Sequence, residues 1–220
     1  MASLKSNHVD AFMNNPDFSK PVILIYGPDE GLVSERADKL AEKSGVDLSD
    51  PFCLIRLNAD DVAGDTSRLA SEAHTIGMFG GKRLIRISGT TRKDLMKSIK
   101  LVLETPPEDA MILIEAGDLK KSSGLRKNLE ANSQSLCIPC YQDTEAALQQ
   151  LINEELIQKG INIDRETRAE LTSMLGENRM VSRGELRKLA IFCEGKQEVT
   201  RDDVYSIVGE ASKLVVDDVI

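Results

Sequence analysis

Gly27 and Gly31, separated by Pro28-Asp29-Glu30, follow directly on the apolar run Val22-Ile23-Leu24-Ile25-Tyr26. A strand, a tight glycine turn and a helix start are how a P-loop nucleotide site begins. There two glycines are followed by Lys-Ser/Thr, which hold the phosphates and Mg²⁺. In this chain the second glycine comes one residue early, and Leu32 and Val33 stand where the lysine and hydroxyl belong. Asp29 and Glu30 bring two carboxylates to the place a polyphosphate would occupy, and like charges repel there. We read Gly27, Asp29, Glu30 and Gly31 as a degenerate phosphate loop at which no nucleotide is expected. The strand and turn then belong to a nucleotide-fold domain that works as a binding part.

Other chemistry-bearing residues carry less. Cys137-Ile138-Pro139-Cys140 has the spacing of redox and metal motifs. Redox versions sit at a helix N-terminus, which lowers the thiol pKa. These cysteines instead occupy Ser135-Leu136-Cys137-Ile138-Pro139-Cys140-Tyr141, which reads as a strand end. A four-ligand zinc site needs a second pair, and Cys53 and Cys193 are isolated. Buried small hydrophobes are the reading for these thiols. Arg83-Leu84-Ile85-Arg86-Ile87-Ser88 ends in Ser88-Gly89, where an ATPase of this layout would need Asp-Glu to hold Mg²⁺. Glu115 and Asp118 close the next strand, and such acids usually cap a helix or face solvent. Lys82, Arg83, Arg86, Arg92, Lys93, Lys97 and Lys100 form a basic stretch opposed within it by Asp94. A solvated helix face is its expected state, with contact to DNA or to an acidic partner the alternative. His8 and His74 stand apart from any nucleophile or carboxylate pattern and receive no catalytic role.

The elements that place these groups follow a regular order. Strands are predicted at Val22 to Tyr26, Phe52 to Leu57, Arg83 to Ile87, Ala110 to Glu115 and Leu136 to Cys140. Helical patterns fall between them at Val33 to Lys43, Thr66 to Thr75, Arg92 to Leu103 and Ser122 to Ala131. Such alternation implies right-handed crossovers and a mostly parallel sheet covered on both faces. Pro139 argues for an edge position or the end of its strand. After Tyr141 the pattern turns helical. One helix is capped at Asp143 or Thr144 and runs to about Gln158, and a second runs from Asp164 to Leu175. A third covers Met180 to Cys193, and a fourth starts from the capping-box-like Thr200-Arg201-Asp202-Asp203. Lys213 to Ile220 opens a further apolar element that stops short, so more chain is expected beyond it.

Composition narrows the function classes. The chain has 220 residues with 36 acidic and 28 basic side chains, a formal net charge of −8. It should not adhere to nucleic acid by general electrostatics, since phosphate neutralisation drives that binding. No run is long and apolar enough to span a bilayer, and the N-terminus lacks the apolar stretch of a signal peptide. A cytoplasmic protein is expected.

The Ile76-Gly77-Met78-Phe79-Gly80-Gly81 segment places three large apolar side chains on a glycine-interrupted turn. They either seal the preceding helix to the core or, exposed on a loop, anchor a partner pocket.

A parallel five-stranded domain followed by a helical lid is the AAA+ layout, and nearly the whole chain resembles bacterial DNA polymerase III subunit delta. The likeness rests on Leu24 to Arg36 with its degenerate loop, on Arg68 to Arg83, and on Gly184 to Phe192, which is similar to that family's Glu-Leu-x-Lys-Leu helix. The resemblance implies an AAA+-like α/β domain over 1–141, a helical lid domain over 142–212 and the start of a third, collar domain at 213–220. It implies a clamp-loader subunit that binds and opens the sliding clamp for DNA replication, without a catalytic site, metal or cofactor of its own. Such a subunit is part of a holoenzyme whose DNA-directed DNA polymerase (nucleotidyltransferase) activity belongs to the complex. Ile76, Met78 and Phe79 would enter the hydrophobic pocket of the clamp. Implied partners are the clamp (beta subunit), the gamma/tau and delta prime loader subunits, and primer-template DNA through the assembled complex, with no membrane. The competing readings are an active AAA+ P-loop NTPase with an atypical phosphate loop, and a thiol oxidoreductase working through Cys137 and Cys140.

Overall fold

Every residue of Val22–Tyr26 (β1) is buried, as expected of a strand covered on both faces. In this computed structural model, residues 3–4, 6–76, 81–90, 95–141, 145–175 and 179–208 are described. The chain divides into two units, Met1–Tyr141 and Gln142–Ile220.

In the first unit β1 lies between β4 (Ala110–Ala116) and β5 (Ser135–Pro139), with β3 (Arg83–Ser88) and β2 (Leu54–Asn58) beyond β4. All pairings are parallel, and the order is β2-β3-β4-β1-β5. Two helices cover one face: α1 (Ser6–Asn14) and α2 (Glu30–Lys43). Their side chains pack with Ile23, Ile25, Leu84, Leu113 and Ile138. The other face packs Leu24, Tyr26, Ile85, Ile87, Ile112 and Ile114 against α3 (Ala59–Gly64), α4 (Arg68–His74), α5 (Met96–Glu104) and α6 (Gly124–Ala131). Alternate residues of each strand thus feed two separate cores, the consequence of a period-two side-chain pattern.

β5 is an edge strand and ends at Pro139, where the missing N–H costs no ladder bond. Ser3 forms a parallel bridge to Cys137, and the Leu4 N–H donates to the Cys137 carbonyl at 3.0 Å, so part of that edge is covered. Cys137 and Cys140 are both buried, and burial pushes the Cys137 thiol up to about 12. At neutral pH that thiol stays protonated, opposite to what a redox or zinc pair requires.

The second unit packs α7 (Glu145–Glu155), α8 (Arg165–Met174), α9 (Arg179–Phe192) and α10 (Arg201–Ile207) around Leu151, Ile152, Leu171, Leu186, Leu189 and Val204. Two-residue strands, Asn162–Ile163 (β6) and Glu198–Val199 (β7), pair in parallel. A 3-10 turn over Ile157–Lys159 ends at Gly160, whose φ of 78° is left-handed and suits glycine. Asp164 caps α8, its Oδ1 accepting from the Glu166 and Thr167 N–H groups at 2.8 and 3.0 Å. Glu155, buried on α7, accepts from Lys159, Arg183 and Arg187. Burial opposes ionisation there. The hydrogen bonds from Lys159 and Arg183, with the nearby cations, still hold its carboxyl below the ordinary value.

The capping box at α10 is formed. Thr200 Oγ1 accepts from the Asp203 N–H at 3.3 Å, and Asp203 Oδ2 accepts from the Thr200 N–H at 3.0 Å. Lys196 Nζ donates to Asp203 Oδ1 at 2.6 Å. Burial alone would raise the Asp203 carboxyl, but Lys196 and Thr200 outweigh it and bring it down to about 2, from 3.8. A carboxyl with a depressed folded-state pKa stabilises above its unfolded value and loses that contribution as pH falls through the folded one. Asp203→Asn is therefore expected to cost about 1 kcal/mol or more near neutral pH. Melting curves of wild type and variant should converge between pH 4 and pH 2; a gap that widens on acidification would contradict the assignment.

The structure departs from the predicted elements at several points. α1 and α3 are helices where none is expected, and the pattern predicted over Thr66 to Thr75 is helical only from Arg68 to His74. Asn58 explains α3, its side chain accepting from the Asp60 N–H to cap a helix begun by the strand's last residue. The predicted third-helix start at Arg92 lies outside the described residues, where α5 begins at Met96. The segment 213–220 also lies outside them.

Candidate functional site

The phosphate-loop equivalent lies at the edge where the parallel strands end. The Gly27 N–H donates to the carbonyls of Ala116 and Gly117 at 3.3 and 3.2 Å, and Cys140 N–H donates to the Tyr26 carbonyl at 2.6 Å. This pulls β5 so close that a Cβ built on Gly27 would stand 1.7 Å from the Cys140 carbonyl oxygen. The glycine is demanded by this close approach.

Asp29 then caps α2. It is 3% exposed, and its Oδ1 accepts from the Leu32 N–H at 2.9 Å. In a working phosphate loop the helix N-terminal amides and dipole receive a phosphate. Here a carboxylate of the chain itself takes a hydrogen bond from that first turn. Leu32 and Val33 are buried in the α2 core. Glu30 is exposed as the first helical residue, where its charge suits the dipole without entering the turn. Of the two carboxylates expected at the phosphate position, only Asp29 is turned inward. Arg36, one turn further along α2, donates from Nη1 to the Pro139 carbonyl at 2.7 Å and to Cys140 Sγ at 3.3 Å.

Gly89 follows the end of β3 with φ +74°, and the buried Thr90 donates from Oγ1 to the Glu115 carbonyl at 2.7 Å. Glu115 is neither cap nor solvated loop. It lies within β4, 2.8 Å from Arg86 Nη2, while Arg86 Nη1 is 2.6 Å from Asp38 of α2. Burial raises the Glu115 carboxyl against the pull of Arg86. These charges join β3 and β4 to α2. Among the described residues no three His, Cys, Asp or Glu side chains gather as a metal site.

The expected solvated basic face also breaks up. Arg83 and Arg86 are engaged in ion pairs, Lys82, Lys97 and Lys100 are exposed, and Arg92 and Lys93 lie outside the described residues. A strand covered on both faces explains this, since Arg83 and Arg86 stand among the buried Leu84, Ile85 and Ile87.

At the opposite edge, where the strands begin, α4 ends at His74 and Ile76 is 89% exposed. Met78 and Phe79 lie outside the described residues. Arg83, buried at the first position of β3, caps this end of α4. Its Nη1 donates to the Glu72 and Thr75 carbonyls, the latter at 3.1 Å, and its Nη2 pairs with Glu72 Oε2 at 3.1 Å. Its Nε donates to the Phe52 carbonyl at 3.0 Å. Sequence reasoning gave Arg83 no such role. The available signal was an arginine opening an apolar strand one residue after Gly80-Gly81.

Comparison with known proteins bears on this frame. The model of the DNA polymerase III delta subunit family matches residues 23–139. The chain belongs to that family. The delta family is one of clamp-loader subunits within the polymerase III holoenzyme of DNA replication. This delta-family chain is 23% identical over 191 residues to a probable DNA polymerase III subunit delta of Rickettsia prowazekii. That match takes in 84% of this chain and 55% of the relative, so the chain spans about half the relative's length. Among solved structures, the clamp-loader delta protein of Bacillus subtilis superposes with a TM-score of 0.61 at 16% identity, covering 93% of this chain and 62% of that one. A RuvB variant of Thermotoga maritima gives 0.60 at 10% identity, covering 93% and 67%. The fold of the delta-family chain is thus AAA+-like, a parallel α/β domain followed by helices. No helix among the described residues is long and apolar enough to cross a membrane.

Proposed function

We propose that this chain is a non-hydrolysing clamp-loader subunit that binds the sliding clamp through Ile76, Met78 and Phe79 and opens it. The observation that carries the reading is the self-filled phosphate loop. Asp29 accepts the hydrogen bond a phosphate would receive, and Leu32 and Val33 are spent on the core in place of lysine and hydroxyl. Nucleotide chemistry then falls to neighbouring subunits of a loader that also holds gamma/tau and delta prime, and this chain contributes no catalytic site to the holoenzyme. It meets primer-template DNA through the assembled complex, in the cytoplasm. The residues at 142–212 act as the lid domain.

Opening follows from differential binding. A subunit that binds the open clamp more tightly than the closed ring shifts the population toward the open form by that difference in affinity. Ile76, held out in solvent, supplies the apolar contact for such a difference.

Titration of a fluorescently labelled sliding clamp from the same source is the test, paired with a fluorescent ATP analogue. Saturable clamp binding with no Mg²⁺-dependent nucleotide binding is the expected outcome. Tight Mg²⁺-dependent nucleotide binding would return the chain to the active NTPases, and absence of clamp binding would end the proposal.

A further inference from the structure

We propose that Phe52 is a second apolar anchor for the sliding clamp, held beside the Ile76 segment by the Arg83 guanidinium. This rests on the clamp-binding reading above and extends the surface that serves it. Phe52 is 68% exposed and Ile76 89%, the two most exposed large apolar side chains among the described residues of the first unit. Singly, exposed apolar residues are ordinary. These two are tied to one rigid group.

The planar Arg83 side chain donates from Nε to the Phe52 carbonyl at 3.0 Å and from Nη1 to the Thr75 carbonyl at 3.1 Å. Its Nη2 is fixed to Glu72 at 3.1 Å, and the residue is only 5% exposed. The turn before β2 and the end of α4 are therefore fastened across one buried guanidinium whose donors have fixed directions. The backbone that carries Phe52 is thereby held close to the backbone that leads into Ile76.

Area argues for the same occupant. A stable interface takes about 800 Å² from each partner. Three side chains of up to roughly 200 Å² each supply at most about 600 Å². The remainder must come from ground next to the segment 76–80. At the edge where the strands begin, Pro51 and Phe52 are exposed, and so is Lys82 at the rim. An aromatic centre with a polar rim is the composition of a binding surface.

The experiment compares clamp affinity of the whole chain as wild type, Phe52→Ala, Phe52→Leu, Leu101→Ala and the Met78→Ala/Phe79→Ala pair. Phe52→Ala is expected to weaken binding about tenfold with an unchanged melting temperature, because an exposed ring contributes little to folding. Phe52→Leu should recover most of that loss, and Leu101→Ala, on the outside of α5, should bind as wild type. Wild-type affinity for Phe52→Ala beside a crippled double variant would overturn the second anchor and leave the clamp reading standing. An equal loss from Leu101→Ala would also overturn it, as a non-specific effect. No binding by the wild type would overturn the clamp reading first.

Discussion

Replacing both Met78 and Phe79 by alanine is expected to lower sliding-clamp affinity about a thousandfold, on the order of 4 kcal/mol, while the melting temperature stays close to wild type. The size follows from how binding energy concentrates in a few buried anchors. Two large apolar groups of the three on the segment would be lost at once. The small effect on folding follows from their surroundings. Gly77, Gly80 and Gly81 disfavour regular structure, and Ile76 at the head of the segment is exposed to solvent. Residues on such a loop add little to a core built from strand and helix faces. Affinity is read by titration and folding by thermal denaturation on the same samples. Unchanged affinity would remove the clamp-binding role from the segment. An unfolded double variant would place these side chains in the core instead.

The second large effect is on stability. Gly27→Ala is expected to cost about 3 kcal/mol or more, because the new methyl must displace backbone. Its Cβ would lie 1.7 Å from the Cys140 carbonyl oxygen and 2.4 Å from the carbonyl carbon. Relief means moving β5 off β1, which breaks the Cys140-to-Tyr26 hydrogen bond at 2.6 Å and disturbs the paired Gly27 N–H. Gly64→Ala is the matched control. No atom lies within 4 Å of its Cβ, and it closes helix α3, so the change should be neutral or slightly stabilising. Urea midpoints for the two variants would separate them. A Gly27→Ala midpoint equal to that of Gly64→Ala would mean that β1 and β5 do not approach as described.

Why some of this was legible in the sequence and some not has physical causes. Val22–Tyr26 and Ala110–Ala116 are apolar runs bounded by turns, and runs of that kind identify buried parallel strands within a residue or two. Thr200 with Asp203, and Asp164 ahead of its helix, announced two helix starts, because a cap is a local exchange between side chain and nearby N–H. Asp29 was legible as a misfit for phosphate but not as the cap itself, since the same carboxylate at the same position can repel a ligand or replace one. Arg83, Arg86 and Glu115 escaped the reading. Their partners Phe52, Glu72, Asp38 and each other are far apart in the chain and meet only through the strand order. α3 was missed because its single turn and a half has too little length for a helical period to emerge.

The intramolecular cap on α2 has a consequence for what the first unit can sense. A carboxylate tethered three residues from its N–H is present at a high effective concentration, so on the reading proposed above swings in the cell's energy charge would leave that turn as it is. On the clamp-loader reading proposed above, neighbouring motor subunits that cycle between loaded and spent forms would work against a stationary jaw. Such a jaw would turn their stroke into force on whatever it grips.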